Sequence, residues 1–142
     1  MKFVVSELKA SALTQVVTPE VNTIVTAIRP HIYRHNFATG NLQLQIIDDT
    51  SAVIATSESI AISSITGLAY YHGYVRFYIN AYLQAGRNYT ISLSGQSGYS
   101  FAEGAYCGWV SGLDLGKYPP TTTPANTWVY PLDLEIWERT AV

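Results

Sequence analysis

Apolar and polar residues alternate with a period of two along much of this chain, and that pattern leaves few folds open. In 41–47, Leu42, Leu44 and Ile46 alternate with Gln43 and Gln45. In 88–94, Tyr89, Ile91 and Leu93 alternate with Asn88, Thr90, Ser92 and Ser94. In 132–139, Leu132, Leu134 and Ile136 alternate with Asp133, Glu135, Trp137 and Arg139. Successive side chains of a strand point to opposite faces, so each segment reads as a strand with one buried face. Further strands are expected at 23–34, 51–57, 60–65, 70–79 and 104–111, with a shorter one at 13–17. Turn-forming runs separate them: Ala38-Thr39-Gly40-Asn41, Asp48-Asp49-Thr50-Ser51, Gln84-Ala85-Gly86-Arg87, Ser94-Gly95-Gln96-Ser97-Gly98 and Ser111-Gly112. No segment carries a sustained helical period with caps. The best helical candidates are Glu7 to Val16 and a turn near Ser100 to Gly104.

About eight or nine short strands in one small domain, each with one polar face, point to an all-β fold. A two-sheet antiparallel β-sandwich, jelly-roll-like, is favoured over a closed barrel because the strands differ in length and the loops are uneven. At 142 residues the chain can bury about two-thirds of its unfolded surface without disulfides or metals. Residues 23–142 read as a single sandwich domain, and 1–22 as an N-terminal arm or edge strand. Pro30 is expected to break or bulge its strand or to place it at a sheet edge, because proline donates no hydrogen bond to a central ladder. Residues 117–131 hold four of the six prolines and form a long irregular crossing, either a stiff connection or a contact surface. Trp128 and Tyr130, within it, favour contact.

Read as a strand, 70–79 separates into two chemically different faces. Tyr71, Gly73, Val75, Phe77 and Ile79 make a core face. Tyr70, His72, Tyr74, Arg76 and Tyr78 make the other, where every residue has a flat or amphipathic body and a hydrogen-bonding tip. Such a row suits contact with a sugar ring or a protein surface. Trp137, the large aromatic on the outward row of the last strand, joins Tyr70, His72, Tyr74, Arg76, Tyr78, Trp128 and Tyr130 as a candidate contact residue. Eleven tyrosines and three tryptophans exceed the needs of a core this size; Tyr89, Trp109 and Phe77 are assigned to the core.

Several function classes lose ground on composition. The formal net charge is −2, and the eight Lys and Arg form no run, so nucleic acid is not an expected partner. The single cysteine, Cys107, cannot form an intrachain disulfide and reads as a small buried hydrophobe. No apolar run approaches a membrane span, and Glu7 and Lys9 interrupt the N-terminal apolar stretch before a secretory leader develops, so a soluble intracellular product is expected. His31 and His35 would lie about 13 Å apart along a strand, too far to share one metal ion. Asp48-Asp49 reads as a β-turn that satisfies its own backbone rather than a calcium loop. Carboxylates such as Glu103, Asp114, Asp133 and Glu135 have no bracketing cleft, and nucleophile-elbow, Walker and dinucleotide motifs are absent. No catalytic residue, metal or cofactor is expected.

From His72 to Trp137 the order of features runs Gly73-Tyr74-Val75-Arg76-Phe77, Leu83-Gln84-Ala85-Gly86-Arg87-Asn88-Tyr89-Thr90-Ile91, Gly98-Tyr99, Tyr106-Cys107-Gly108-Trp109-Val110 and Pro131-Leu132-Asp133-Leu134-Glu135-Ile136-Trp137. This order resembles sandwich domains of tailed-bacteriophage virion proteins, a group that includes capsid decoration proteins and tail-fibre adhesion modules. The resemblance covers about the last half of the chain and its motifs are those of a strand scaffold. It implies a protein made in the host cytoplasm and built into the virion. Two functions follow. One is a capsid decoration or cement protein, a small homo-oligomer such as a trimer seated where shell subunits meet. The other is a carbohydrate-binding module stacking sugar rings on Tyr74, Tyr78, Trp128 or Trp137, with Arg76 and Asn80 bonding hydroxyls.

Overall fold

Eleven strand segments form in the computed structural model, which describes residues 4–8, 12–34, 38–65, 71–96, 98–99, 107–111 and 134–140. They are β1 (Val4–Glu7), β2 (Leu13–Val17), β3 (Thr23–Arg34), β4 (Asn41–Ile47), β5 (Val53–Thr56), β6 (Ile60–Ala61), β7 (Tyr71–Tyr74), β8 (Phe77–Leu83), β9 (Tyr89–Gln96), β10 (Cys107–Ser111) and β11 (Leu134–Thr140). A single 3-10 turn, Ile62–Ser64, follows β6, where the alternation alone suggested more strand. Glu7 lies in β1 and Leu13 to Val16 in β2, so the helical candidate over Glu7 to Val16 is corrected to two strands. The second candidate, near Ser100 to Gly104, falls outside the described residues.

Pairing nests the two halves of the chain. β1 pairs with β10, β2 with β9, β3 with β7 and β8, and β4 with β5 and β6, all antiparallel. Successive nested pairs fall alternately in two sheets, one built on β1-β10-β3 and the other on β2-β9-β4-β5. That is the wrapping of a jelly roll: one long antiparallel hairpin rolled so that each pair lands opposite the last. β8 lies against β4 and β5 of the second sheet, so the β8 edge and the β5 edge share one side of the sandwich. β1 and β2 occupy the far edges of their sheets.

Pro30 sits inside the unbroken β3, a central strand with neighbours on both flanks, contrary to the expectation of a break or an edge. The neighbours are interrupted instead. β7 ends at Tyr74, opposite His31, and β8 begins at Phe77, opposite Ile28, so the gap at Val75–Arg76 faces Arg29–Pro30 in unchanged register. On the other flank β10 reaches only Ile32 and β11 takes over at Pro30. A residue with no N–H is tolerated where the ladders on both sides change partner, and its carbonyl still accepts from Val75 N at 3.1 Å. The expected single strand over 70–79 is thus two strands.

The inward rows close the core. Leu42, Leu44 and Ile46 from β4 and Tyr89, Ile91 and Leu93 from β9 face Val25, Ile28 and Ile32 from β3 and Phe77, Ile79 and Leu83 from β8. Burying each such side chain is worth about 1.5–3 kcal/mol. Val25 and Ile28 both reach the core although three residues apart, because the β3–β8 register slips between Val25 and Ala27. Ala27 is buried yet stands outside that core cluster. Cys107 is buried within the cluster, as a small hydrophobe.

Turn chemistry follows the sequence. Gly40, Gly86 and Gly98 have positive φ, as does Ser51 at 67°. Asp48 Oδ1 accepts from Thr50 N at 2.8 Å, Thr50 Oγ1 at 2.6 Å and Ala52 N at 3.0 Å, so this carboxylate closes its own turn.

Candidate functional site

The contact row can be followed only in part. Tyr70, Trp128 and Tyr130 lie outside the described residues. His72 and Tyr74 stand on β7, with Cα partners Tyr33 and His31 on β3. Arg76 occupies the gap between β7 and β8, and Tyr78 is the second residue of β8. Trp137 lies on β11 opposite Ala27, and Ala27 is also the partner of Tyr78. Trp137, Ala27 and Tyr78 therefore occupy one cross-strand row, its outer members two strand spacings, about 10 Å, apart.

Tyr78 is 63% exposed, while Phe77 and Ile79 on either side are buried. Arg76 Nη1 donates to the Tyr78 hydroxyl at 3.4 Å, and its guanidinium stands 5.9 Å from the ring centroid, so ring and cation present themselves together. The Tyr78 N–H donates to both carboxylate oxygens of Glu58, at 3.1 and 3.0 Å. Glu58 lies between β5 and β6, so an acid from the second sheet caps an edge amide of the first. Capping of this kind blunts an edge against strand addition.

The sequence reading stopped at Ile79, and β8 does not. Asn80 and Tyr82 continue the phase of Tyr78; both are exposed, Tyr82 to 51%. Asn80 already belongs to the glycan reading of the sequence, and carrying the two-residue count on to 82 adds Tyr82. They line an open cleft of about 250 Å³ with Asp48, Ile54, Ala81, Gln84, Arg87 and Tyr89. Tyr89 is buried and its hydroxyl accepts from Gln84 N at 2.8 Å, which fixes the chain at the end of β8.

Charge in the cleft is compensated locally. Arg87 Nε donates to Asp49 Oδ2 at 3.2 Å, Nη1 donates to Gln84 Oε1 at 3.1 Å, and the guanidinium lies 5.8 Å from the Tyr89 ring centroid. The Thr50 hydroxyl, then the Ala52 amide, hold the Asp48 carboxyl below its ordinary value of 3.8. The hydrogen bond from Arg87 lowers Asp49 in the same way, and Asp49 in turn raises Arg87. Depressed carboxylates stabilise the fold fully above their unfolded pKa, and that contribution is lost as pH falls through the lower folded values. Lowering pH below about 4 is expected to loosen the 48–52 turn before the core, read as early movement of the Thr50 and Ala52 amide resonances in a pH titration. Asp48→Asn, which cannot be protonated, should remove the larger part of that movement and leave the part that Asp49 contributes.

Among the described residues, no group of three or more His, Cys, Asp or Glu is placed to hold a metal ion. None of their helices is long and apolar enough to cross a membrane. The arrangement presents exposed rings with hydroxyl tips, neutral amides and one arginine paired with two carboxylates. No protein-family model matches the chain, no curated protein matches it, and no solved structure matches its fold.

Proposed function

We propose that this chain is a non-enzymatic structural protein of a bacteriophage virion, of the capsid decoration or cement type, that works through protein–protein contacts. One observation carries it: the adjoining strands β5 and β8 leave Val53, Ile54, Tyr78 and Tyr82 exposed, with Ile54 and Tyr82 lining one cleft, while Phe77, Ile79 and Leu83 of β8 are inside. Exposed apolar surface of this kind marks an interaction site. Tyrosine suits it, since each ring supplies area at low entropy cost and keeps a polar tip for the unassembled state. Because Glu58 caps Tyr78 N, partners would dock on side chains rather than add a strand. The resemblance to virion sandwich domains supplies the setting, and symmetric assembly, as a trimer for example, is the form such contacts take.

Light scattering on the full chain tests this. A discrete homo-oligomer is expected, and Tyr78→Ser with Tyr82→Ser should shift it toward monomer at unchanged circular dichroism. A monomer at every concentration, in the absence of other virion subunits and in their presence, would reject the assembly reading. Deleting the first twenty residues is not a usable variant, because it removes Leu8, Leu13 and Val17 from the core. Glycan binding remains the second reading, and the cleft beside Tyr82 is the observation in its favour.

A further inference from the structure

We propose that the cleft between β5 and β8 binds one ring of a neutral sugar. The inference rests on the glycan reading and deepens it with a cleft in which Asn80 is the one residue the sequence had already given to sugar; Ile54 and Tyr82 also belong to the face of the assembly reading, so the two readings compete for them. Its lining combines two kinds of surface. Tyr82 and Ile54 are partly exposed apolar side chains on the two facing edges, and Asn80, Gln84, Arg87 and Asp48 bring polar groups to the same space.

The polar groups divide by whether they are already engaged. Asp48 Oδ1 is taken by its own turn, and Arg87 is held by Asp49 and by Gln84 Oε1. An anion would have to take Arg87 from two neighbouring carboxylates, and a cation would find the Asp48 oxygen facing the turn occupied. The Asn80 amide and the Tyr82 hydroxyl make no hydrogen bond to another described residue, and Gln84 uses only its Oε1. The groups left for a ligand are therefore neutral donors and acceptors, which match hydroxyls. An aromatic face carries negative potential, so it accepts the polarised C–H face of a pyranose.

Size narrows the ligand further. About 250 Å³ lies below the roughly 300–1,000 Å³ of sites that enclose drug-sized molecules, so the cleft takes a single ring with its substituents open to solvent. Tyr89 and Ala81 also line it, and the hydrogen bond from Gln84 N to the Tyr89 hydroxyl at 2.8 Å holds Tyr89 in place. A shallow, preformed site with few hydrogen bonds predicts millimolar affinity for one ring.

The test is a two-dimensional amide NMR titration of the full chain with glucose, galactose, mannose and N-acetylglucosamine, each taken well into the millimolar range. At least one is expected to give saturable shifts at the Asn80, Tyr82 and Gln84 amides. Tyr82→Ala and Asn80→Ala, both at exposed positions, should each weaken that binding by about tenfold, the value of one ordinary hydrogen bond or stacking contact. Absence of saturable shifts with all four sugars overturns the proposal, as does binding that survives both substitutions. Either failure leaves the assembly reading intact, because that reading is tested by mass and not by sugar.

Discussion

Tyr99→Ala is expected to cost the fold about 3–5 kcal/mol, the range for removing a large buried aromatic side chain. Tyr99 is buried, and its hydroxyl works at a junction. It donates to Leu8 O at 2.7 Å, with Cys107 O at 3.3 Å, and accepts from Cys107 N at 2.7 Å. Leu8 N donates in turn to Cys107 O at 2.8 Å. One phenol thus ties the segment that leaves β9 to the end of β1 and the start of β10. Tyr99→Phe separates the two contributions: the ring stays, Cys107 N loses an acceptor inside the protein, and about 1–3 kcal/mol is the expected loss. Urea unfolding of the two variants measures the difference. Equal midpoints for Tyr99→Phe and the natural protein would mean that Cys107 N finds another acceptor and that the junction rests on packing alone.

Much of this fold was legible because period two is a local signal. Leu42, Leu44 and Ile46 alternate in sequence and are buried in the structure, as are Tyr89, Ile91 and Leu93. The turn at 48–51 was legible for the same reason, since Asp48 bonds to residues two and four places on. What escaped was non-local. Nothing near Pro30 tells that both neighbouring ladders change partner opposite it, and so a proline that should mark an edge sits in a central strand. Ala27 has the same lesson: the register slip beside it reverses which residues of β3 face in, and a slip of one residue is set by the partner strand.

Of the row proposed for contact, the outward placement of Tyr78 was legible in the alternation. Tyr78 was found because it alternates with buried Phe77 and Ile79. Asp48, Ile54 and Arg87 could not be joined to Asn80 and Tyr82, because they come from separate stretches of the chain that only the fold brings to one cleft. The join across Ala27 to Trp137 likewise needs the register of three strands.

Two glycines around Tyr99 should respond differently to alanine, and the difference checks the junction independently. A Cβ on Gly95 would lie inside contact distance of the Tyr99 ring, 2.6 Å from Cδ1. Gly95→Ala must push that ring aside and is expected to cost about 1–3 kcal/mol, the usual range for overpacking. In a Tyr99→Ala background the obstacle is gone, so most of that cost should vanish, leaving a strong coupling between the two positions. Gly40 meets the backbone instead. A Cβ there would lie 2.5 Å from Tyr99 Cα and 2.7 Å from Gly98 C, and its φ of +93° strains any L side chain. Gly40→Ala is expected to cost about 2–4 kcal/mol, combining strain and overpacking, and to keep that cost when Tyr99 is alanine. A domain of ordinary stability, about 5–15 kcal/mol, leaves room to measure the single variants and the Gly95 double variant by urea unfolding. Additive costs at Gly95 and Tyr99 would show that the ring does not pack over Gly95, and the placement of Tyr99 at this junction would fall with them.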